Sequence, residues 1–330
     1  MGKTALITGA TGQDGAYLAR LLLQKNYKVH AMRQPMAVPD LVRLENISPA
    51  IDFHYGDMSD AASVFRMIAK IKPDEIYNLA AQSHVHISFD TPELTAQVNA
   101  LGVMRLLEAI RIIDPKIKLF QASTSELFGD TPAPQNEASI MNPRSPYAAA
   151  KKYAYDMVRI YREAYGLFAC NGIMFNHESS YRGQEFVTRK ISIGVGKIKR
   201  GEKDCLFLGN LDARRDWSHA EDIVRGAWMM MQQERANDFI LSSGQSRTVR
   251  EFAAEAFHLS GFELRWQGEG INEIGIDQHG VTRVVVDTKF YRPLEVESLQ
   301  GDAAKARQML GWQLAKTFKD IVRERVEAAG

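Results

Sequence analysis

The sequence has almost no cysteine and almost no net charge, and these two absences exclude several classes of protein. Cys170 and Cys205 are the only cysteines in 330 residues, and both stand in apolar surroundings. Two such thiols predict reduced core residues and leave no basis for a disulfide framework or a cysteine-based metal site. The 41 lysine and arginine residues nearly balance 40 acidic residues. The chain therefore has no overall field that would hold a polyanion such as nucleic acid.

Long hydrophobic runs are also missing. No segment approaches the roughly 18 apolar residues of a membrane span, and the short apolar run at the N-terminus passes directly into a glycine loop. We therefore expect a cytoplasmic protein that holds no metal and binds neither membranes nor nucleic acid. The 45% of hydrophobic and 25% of charged residues form an ordinary globular mixture. The length suggests two lobes or one large α/β unit.

The first half of the chain alternates short β-rich apolar runs with amphipathic stretches. This alternation predicts parallel βαβ units with right-handed crossovers. The predicted strands are 5–8, 28–32, 51–55, 75–79, 118–121 and 168–175. The predicted helices are 14–24, 61–71, 94–113 and 146–165.

The second half is less regular and predicts a smaller lobe. Its predicted helices are 186–199, 221–232, 249–259, 303–310 and 318–329. Its predicted strands are 205–208, 264–266 and 282–286, with a turn-rich segment at 268–280. We expect an α/β protein with a Rossmann-type doubly wound parallel sheet over 1–175, to which a later segment near 209–245 returns. A smaller α/β substrate-binding lobe is expected over 176–330, interleaved with the first.

A glycine loop follows the first predicted strand and opens the first predicted helix. Gly9, Gly12 and Gly15 give the spacing Gly-x-x-Gly-x-x-Gly. Glycines there permit a tight turn and let the backbone approach a pyrophosphate, whose charge meets the helix N-terminus. The pattern alone is weak, but its place between strand and helix favours a nucleotide site over a βα turn without a ligand.

The end of the second predicted strand indicates which cofactor is bound. An NAD enzyme usually carries an acidic residue there for the ribose 2′-hydroxyl, whereas this strand is followed by Arg33. Arg33 suits a 2′-phosphate, so NADP is favoured, the alternative being a solvated loop charge. Asp57, after the third strand, is placed to accept a hydrogen bond from the adenine amino group.

A tyrosine and a lysine with helical spacing indicate the chemistry. Tyr147 and Lys151 lie one turn apart on one face of a predicted helix. A lysine ammonium and a nicotinamide cation both favour phenolate, so that the tyrosine can take a proton from a sugar hydroxyl. Thr124 and Glu126 follow the fifth strand, whose C-terminal end faces the ligand crevice of an open α/β sheet.

The combination of these motifs resembles the extended short-chain dehydrogenase/reductase superfamily. Narrower motifs, spread over almost the whole chain, resemble its GDP-mannose 4,6-dehydratase family. They are GQDGAYLA at 12–19, LAAQSHV at 79–85, QASTSELFG at 121–129, FNHES at 175–179, FVTRK at 186–190, GNLDARRDW at 209–217 and YRPLEVE at 291–297. Those of the second half are the specific ones, because most sister enzymes share the first-half motifs.

The resemblance implies an NADP-dependent dehydration of GDP-mannose to GDP-4-keto-6-deoxymannose, with hydride moved internally from C4 to C6. Tyr147, supported by Lys151, would take the C4 hydroxyl proton. Glu126 would abstract the C5 proton, and Thr124 or a proton returned by Glu126 would help water leave from C6.

Two other functional hypotheses remain compatible with the sequence. A 4-keto-sugar reductase or epimerase needs no base at C5, so Glu126 argues against it, although superfamily decarboxylases also carry Ser-Thr-Ser-Glu. A non-catalytic nucleotide-binding protein is disfavoured because Tyr147 and Lys151 are both present.

Two sets of ligand contacts follow from the motifs and the resemblance. The expected cofactor contacts are Gly9, Thr11, Gly12, Gln13, Asp14, Gly15, Arg33, Asp57, Met58, Leu79, Ala80, Ala81, Ser83, Tyr147, Lys151, His177 and Arg182. The expected substrate contacts are Ser83, Glu126, Asn176, Val187, Lys190, Gly209, Arg215, Arg292 and Glu295. Arg215 and Arg292 would clamp the diphosphate, and Lys190 would neutralise it further.

Four positions depart from the usual pattern of the family. Ser180 and Tyr181 replace Pro followed by Arg or Leu, Ser218 replaces Gly, and Asp156 replaces a common Trp. These departures leave GDP-manno-heptose open as an alternative substrate. The short loop after Arg33 leaves homodimer and homotetramer open, with a dimer through helices 94–113 and 147–165 as the minimum expectation.

Overall fold

A parallel sheet of seven strands forms the centre of the protein. The structure is a computed structural model, and it describes residues 2–34, 41–291, 294 and 296–329. Within these ranges, the strands β1 to β14 are Thr4–Thr8, Lys28–Arg33, Ile51–Tyr55, Glu75–Asn78, Lys118–Thr124, Ala169–Met174, Asn176–Glu178, Leu206–Leu208, Arg214–His219, Phe239–Leu241, Ser246–Thr248, Arg265–Gln267, Ile274–Ile276 and Thr282–Val286. The helices α1 to α11 are Gln13–Gln24, Ala61–Ile71, Val85–Asp90, Pro92–Ala96, Gly102–Ile113, Pro146–Tyr165, Val187–Lys199, Ala220–Met231, Val249–Leu259, Ala304–Leu310 and Phe318–Glu327.

The strand order of the central sheet is that of a doubly wound fold. It runs β10-β6-β5-β4-β1-β2-β3, and every neighbouring pair is parallel. The chain order reverses between β1 and β4, and ligands of such sheets bind beyond the carboxyl ends of the strands at that point. The predicted Rossmann-type sheet is confirmed.

Helices cover both faces of this sheet. Apolar side chains of α1 and α8 pack on one face, and those of α2, α5 and α6 pack on the other. Strand β10, which comes from the second half of the chain, extends the sheet beyond β6. The expected division of the chain at 175/176 stays a prediction.

Two smaller sheets lie outside the central sheet among the described residues. Their strand orders are β11-β9-β7 and β12-β13-β14-β8, and α7 and α9 pack against an apolar cluster between them. The sequence did not predict β9, because its side chains Arg215, Asp216, Ser218 and His219 are polar although they are buried. It also missed β13, a three-residue strand centred on Gly275, because glycine is depleted in strands.

The predicted helix 94–113 is confirmed as helical backbone, but it begins earlier, at Pro92, and is not one regular α-helix. The chain forms α4, then a wide π-helical turn at Gln97–Leu101, and then α5. Within that turn the Asn99 side chain accepts from Gln82 N at 2.9 Å and donates to Gln82 O at 2.8 Å. The inserted turn therefore anchors the loop that follows β4, as π-bulges at functional sites often do.

Helix α6 has the predicted bounds because the sequence contains capping residues at both of its ends. The Ser145 hydroxyl accepts from Ala148 N at 3.1 Å, Pro146 occupies the first turn, and Gly166 ends the helix with a φ of 66°. These are the residue types that begin and end helices. The helix thereby places Tyr147 in its first turn and Lys151 one turn later.

No helix in the described part of the chain combines the length and the apolar character needed to cross a bilayer. Across the same residues, no group of three or more His, Cys, Asp or Glu side chains is arranged to hold a metal ion.

A buried ion pair fastens α6 to the edge of the sheet. The two terminal nitrogens of Arg162 donate to the two carboxylate oxygens of Asp238, each at 2.8 Å. Asp238 also accepts from Asn171 N of β6 at 2.8 Å. One carboxylate thus joins the helix, β6 and the segment leading into β10.

We expect Asp238→Asn to lower the free energy of unfolding by about 3 kcal/mol, because Arg162 is left partly buried without its counter-charge. Urea unfolding measures this loss. Arg159→Gln is the matched control, since its ion pair with Glu163 on the same helix is exposed and spans 3.7 Å. The control should cost less than about 0.5 kcal/mol, and equal losses for the two variants would contradict the assignment.

Candidate active site

A cavity of ≈ 850 Å³ opens at the carboxyl ends of the central strands and is lined by residues of both lobes. Every predicted site residue that the structure describes lines this cavity. Arg292 and Glu295, which were also predicted, lie outside the described residues. The cavity therefore brings the expected cofactor contacts, substrate contacts and catalytic group together in one place.

The glycine loop leaves space where any other residue would have a side chain. Gly9 has a φ of 69°, and a Cβ there would lie 2.8 Å from Ala80 N. A Cβ on Gly15 would lie 2.4 Å from Gly9 O. Gly12 begins α1 without a side-chain cap, so the first amides of the helix are open to an anion. These residues fit the diphosphate of a dinucleotide.

A buried ion pair lies beside this loop. His177 Nε2 is 2.8 Å from Asp14 Oδ2, and His177 Nδ1 lies 2.7 Å from the carbonyl oxygen of Phe175. Burial opposes the charge of both groups, but the charge of His177 lowers the pKa of Asp14 and that of Asp14 raises the pKa of His177. Gln13 joins the same network by donating to His177 O at 3.2 Å. The network fixes the start of α1 against β7.

Aromatic residues hold Arg33 at the end of the cavity where the adenosine is predicted to bind. Its Nη2 donates to the Tyr55 hydroxyl at 2.7 Å, and its guanidinium carbon lies 4.5 Å from the Tyr55 ring centroid and 5.6 Å from that of Phe53. Asp57 accepts from Ser59 N at 2.7 Å and from Gln34 Nε2 at 2.8 Å. Arg33 therefore presents a fixed positive charge at the end of β2.

The groups predicted to be catalytic converge from β5 and α6. The Thr124 hydroxyl accepts from Glu126 N at 3.2 Å, and Lys151 Nζ donates to Ala122 O at 2.9 Å. Burial raises the pKa of Tyr147 to about 12, although its hydrogen bond with Thr124 acts in the opposite direction. Burial also lowers the pKa of Lys151 to about 8.

The expectation was that the Lys151 ammonium and a nicotinamide cation together favour phenolate, and these pKa directions describe the chain without the nicotinamide. The Lys151 ammonium lies 5.9 Å from the centroid of the Tyr147 ring, too far to offset the burial of the phenol. The nearby charge of Glu126 raises the pKa of Tyr147 further. Both shifts of Tyr147, from burial and from Glu126, therefore favour the neutral phenol in the chain without a ligand.

Positive charges also line the predicted substrate end. Lys190 Nζ lies 3.1 Å from the centroid of the Phe290 ring, and burial together with neighbouring lysines lowers its pKa to about 8. Arg215 is 5% exposed, and its Nη1 donates to Val296 O at 2.8 Å. Both residues are held in place before any ligand arrives.

Arg43 and Ser123 are among the lining residues that sequence reasoning missed. Arg43 donates from Nε to Tyr181 O at 2.9 Å and from Nη1 to Thr11 O at 3.2 Å. No motif marked it, because it reaches the glycine loop only through the fold. The Ser123 hydroxyl is buried and has no hydrogen-bond partner among the described residues. Ser123 lies in the motif QASTSELFG at 121–129, but nothing in the sequence distinguished it from the other residues of that motif.

The structure explains one of the family departures. The Tyr181 hydroxyl accepts from Arg20 Nη2 at 3.0 Å, and its ring lies 5.4 Å from that of Tyr17. Tyr181 thus fastens the turn after β7 to α1. Asp156 makes a surface ion pair with Lys152, and nothing in the structure explains Ser218.

Sequence comparisons place the chain among nucleotide-sugar dehydratases. The family model "GDP-mannose 4,6 dehydratase" matches residues 6–325. The GDP-mannose 4,6-dehydratase of Sinorhizobium fredii is 51% identical, over 98% of this chain and 95% of the relative. The Homo sapiens GDP-mannose 4,6 dehydratase is 48% identical, over 99% of this chain and 92% of the relative.

Solved structures with the same fold include several enzymes that act on nucleotide sugars. A dTDP-glucose 4,6-dehydratase of Streptomyces venezuelae, solved with NAD, has a TM-score of 0.81 and 25% identity, covering 98% of this chain and 96% of its own. The enzyme RMD of Pseudomonas aeruginosa, solved with NADPH, has a TM-score of 0.77 and 20% identity, covering 99% of both chains.

Because the pKa of Lys151 is lowered in the folded chain, the free energy of unfolding should depend on pH. Its value is about 8 in the folded chain and 10.5 without the fold, so between these pH values the folded state binds fewer protons than the unfolded state. The stability of the wild type should therefore rise with pH across this window relative to Lys151→Met, by about 1–3 kcal/mol. Urea unfolding at about pH 7.5 and about pH 10.5 measures the change.

Lys152→Met is the matched control, because Lys152 is the next residue of α6 and its ion pair with Asp156 lies on the surface. Its stability difference from the wild type should stay nearly constant over the same range. A constant difference for Lys151→Met as well would show that Lys151 is not buried as a charge.

Proposed function

Because this chain belongs to the GDP-mannose 4,6-dehydratase family, we propose that it is a hydro-lyase that converts GDP-mannose into GDP-4-keto-6-deoxymannose with NADP. The observation that carries this proposal is the presence of Glu126 in the same cavity as Tyr147 and the glycine cradle. An internal dehydration needs a base for C5 in addition to the tyrosine that serves C4, whereas a ketoreductase needs only the tyrosine.

The chemistry that a bound nicotinamide supplies is reversible hydride transfer, first from C4 of the sugar and later to C6. The cradle of Gly9, Gly12 and Gly15 suits its diphosphate, and the positive charge of the oxidised ring suits the buried Tyr147. That charge lowers the free energy of the phenolate in a site where burial opposes it.

In the first step, the Tyr147 phenolate takes the proton of the C4 hydroxyl while C4 is oxidised to a ketone. Lys151 keeps its place through Ala122 O, with its ammonium 5.9 Å from the centroid of the Tyr147 ring. Thr124, whose hydroxyl hydrogen-bonds Tyr147, orients the phenol oxygen toward the sugar.

In the second step, the C4 ketone acidifies C5–H, and the Glu126 carboxylate takes that proton. The C6 hydroxyl then leaves as water, with its proton returned by Glu126 or donated by Thr124. Hydride addition at C6 and protonation at C5 would complete the reaction. The proton that Tyr147 took from the C4 hydroxyl balances the proton added at C5, passed directly or through water, and its release restores the phenolate. No net oxidation occurs, so the cofactor is regenerated in every turnover.

The choice of NADP over NAD is supported by Arg33. Its guanidinium stacks on Tyr55 and Phe53 and stands where a carboxylate would otherwise bind a ribose 2′-hydroxyl. A guanidinium held in this way binds a 2′-phosphate as a charge-assisted pair.

The proposed substrate is the hexose compound GDP-mannose, because the relatives with 51% and 48% identity are GDP-mannose 4,6-dehydratases. Lys190 and Arg215 supply positive charge for its diphosphate. The heptose alternative has no support from these relatives. Arg292 and Glu295 keep their expected roles as predictions, as does the cytoplasmic location.

A homodimer or homotetramer remains our proposal for the assembly. Large apolar side chains are exposed along α5 and α6, among them Ile112, Tyr153, Ile160 and Tyr165. Pairing of these helices across a two-fold axis would cover them, because exposed apolar patches mark interaction surfaces.

The direct test is to incubate the purified protein with GDP-mannose and an amount of NADP⁺ well below that of the substrate. Mass spectrometry should show loss of one water from most of the GDP-mannose, while absorbance shows no net reduction of the cofactor. Glu126→Gln should still bind GDP-mannose but lose at least about 100-fold in turnover, the scale of a lost general base.

GDP-mannose returned unchanged by a folded protein that binds NADP⁺ would overturn the proposed reaction. Stoichiometric consumption of NADPH would instead identify a reductase. Near-normal dehydration by Glu126→Gln would remove this residue from the mechanism.

The selection of cofactor can be tested separately. We expect Arg33→Ala to weaken NADP⁺ binding at least about 10-fold while leaving NAD⁺ binding nearly unchanged, because only the 2′-phosphate loses its partner. Tyr55→Phe should give a smaller effect of the same sign, since it keeps the stacked ring and removes only the hydrogen bond to Arg33. Isothermal calorimetry measures both, and equal losses for the two cofactors would contradict the role of Arg33.

A further inference from the structure

The turn that follows β7 carries two cavity residues and contacts the glycine loop. We call residues 179–182 the β7 turn. Arg182 N donates to Ser179 O at 3.2 Å and closes the turn, and Tyr181 and Arg182 line the cavity. The Ser179 hydroxyl donates at 2.8 Å to Oε1 of Gln13, the first residue of α1. The shape of the β7 turn therefore decides where two expected cofactor contacts, Gln13 and Arg182, lie.

One peptide group of the β7 turn is held on both of its edges by α11. Ser180 N donates to Glu324 Oε1 at 3.1 Å, and Ser179 O accepts from Arg325 Nη1. These two backbone groups belong to the same peptide bond, and Glu324 and Arg325 are consecutive residues of α11. A planar peptide group whose N–H and C=O are both bound cannot rotate without breaking both contacts. Helix α11 therefore fixes the orientation of this peptide.

The two side chains of α11 are themselves held in place. Glu324 Oε2 accepts from Lys316 Nζ at 2.7 Å and lies 3.0 Å from His219 Nε2. Burial opposes the charge of Glu324, but the hydrogen bonds with His219 and Lys316 lower its pKa, so the acceptor of Ser180 N is ionised at neutral pH. Arg325 is fully buried, and its Nη1 lies 3.7 Å from Glu178 Oε2.

This contact acts on the cavity from outside it. Within the described part of the chain, the residues that line the cavity include neither Glu324 nor Arg325. Ser180 stands where the family usually has proline. Proline has no N–H and its ring fixes φ, so a turn with proline at this position cannot donate to Glu324. The serine loses the constraint of the ring and gains the N–H that Glu324 binds.

We propose that Glu324 is a positioning residue for the cofactor and acts through the peptide between Ser179 and Ser180. It holds the β7 turn in the shape that keeps Gln13 and Arg182 in the cavity, and it supplies the constraint that proline supplies elsewhere in the family. A site that is ordered before binding loses less freedom on binding, so its affinity is higher. This inference rests on the proposed binding of NADP and not on the proposed dehydration.

The first test measures NADP⁺ binding to the full chain by isothermal calorimetry. Glu324→Ala leaves Ser180 N without its acceptor, so the dissociation constant for NADP⁺ should rise about 10-fold, on the scale of one lost hydrogen bond to a charged group. Glu324→Gln keeps an oxygen for Ser180 N and should raise it only about 3-fold. Glu327→Ala is the matched control, because Glu327 is an exposed carboxylate of the same helix. It should bind NADP⁺ as the wild type does.

GDP binding distinguishes positioning of the cofactor from a general loosening of the protein. The expected diphosphate contacts Lys190 and Arg215 do not belong to the β7 turn. Glu324→Ala should therefore leave the dissociation constant for GDP within about 2-fold of the wild-type value. Equal losses of affinity for NADP⁺ and GDP would overturn the proposal.

A double-mutant cycle with Ser180→Pro tests the path by which Glu324 acts. Proline has no N–H to lose, and its ring holds φ near about −65°. In the Ser180→Pro background, Glu324→Ala should therefore weaken NADP⁺ binding at least about 3-fold less than it does in the wild-type background. The same loss in both backgrounds would show that Glu324 acts by another route, and it would overturn the proposal.

A further measurement needs no variant. Because coupling between two sites is reciprocal, NADP⁺ should strengthen the hydrogen bond of Ser180 N and slow hydrogen exchange at this amide at least about 10-fold. Ser180 does not line the cavity, so direct cover by the cofactor is not the cause. An unchanged exchange rate with NADP⁺ bound would overturn this inference alone. A folded wild type that binds no NADP⁺ would overturn it together with the proposed cofactor.

Discussion

The hydrogen bond from the Lys151 ammonium to the carbonyl of Ala122 is the contact on which the arrangement of the site depends. It fastens α6, which carries Tyr147, to β5, which carries Thr124 and leads into Glu126. The ammonium is buried at a cost, and its lowered pKa shows that cost. Without this hydrogen bond, α6 could shift on the sheet, and Tyr147 would move away from Thr124 and Glu126.

The same burial determines what the site lacks until ligands arrive. Burial raises the pKa of Tyr147 to about 12, so at neutral pH its phenol is protonated and cannot accept a proton. The cationic nicotinamide proposed for this cavity supplies the missing charge beside the phenol. Binding and activation of the base would therefore be one event, which confines proton abstraction to the complex that has a hydride acceptor in place.

The sequence predicted those parts of the fold that depend on local signals. The bounds of α2, α6 and α9 agree to the residue, because caps and apolar periodicity define them. The sequence did not predict features that depend on tertiary contacts. One is the π-helical turn in which Asn99 hydrogen-bonds Gln82. Another is β9, whose polar residues are buried between β7 and β11. Motifs predicted residues that line one cavity. Arg43 reaches the glycine loop only through the folded chain, and no spacing in the sequence marks it.

The central claim is that one cofactor molecule carries hydride from C4 to C6 of the same sugar. The most direct test uses GDP-mannose deuterated at C4, with NADP⁺ present well below the substrate, and follows the label by mass spectrometry and NMR. We expect the 4-keto-6-deoxy product to retain the deuterium at C6. A product without deuterium, or deuterium accumulating in the reduced cofactor, would contradict it.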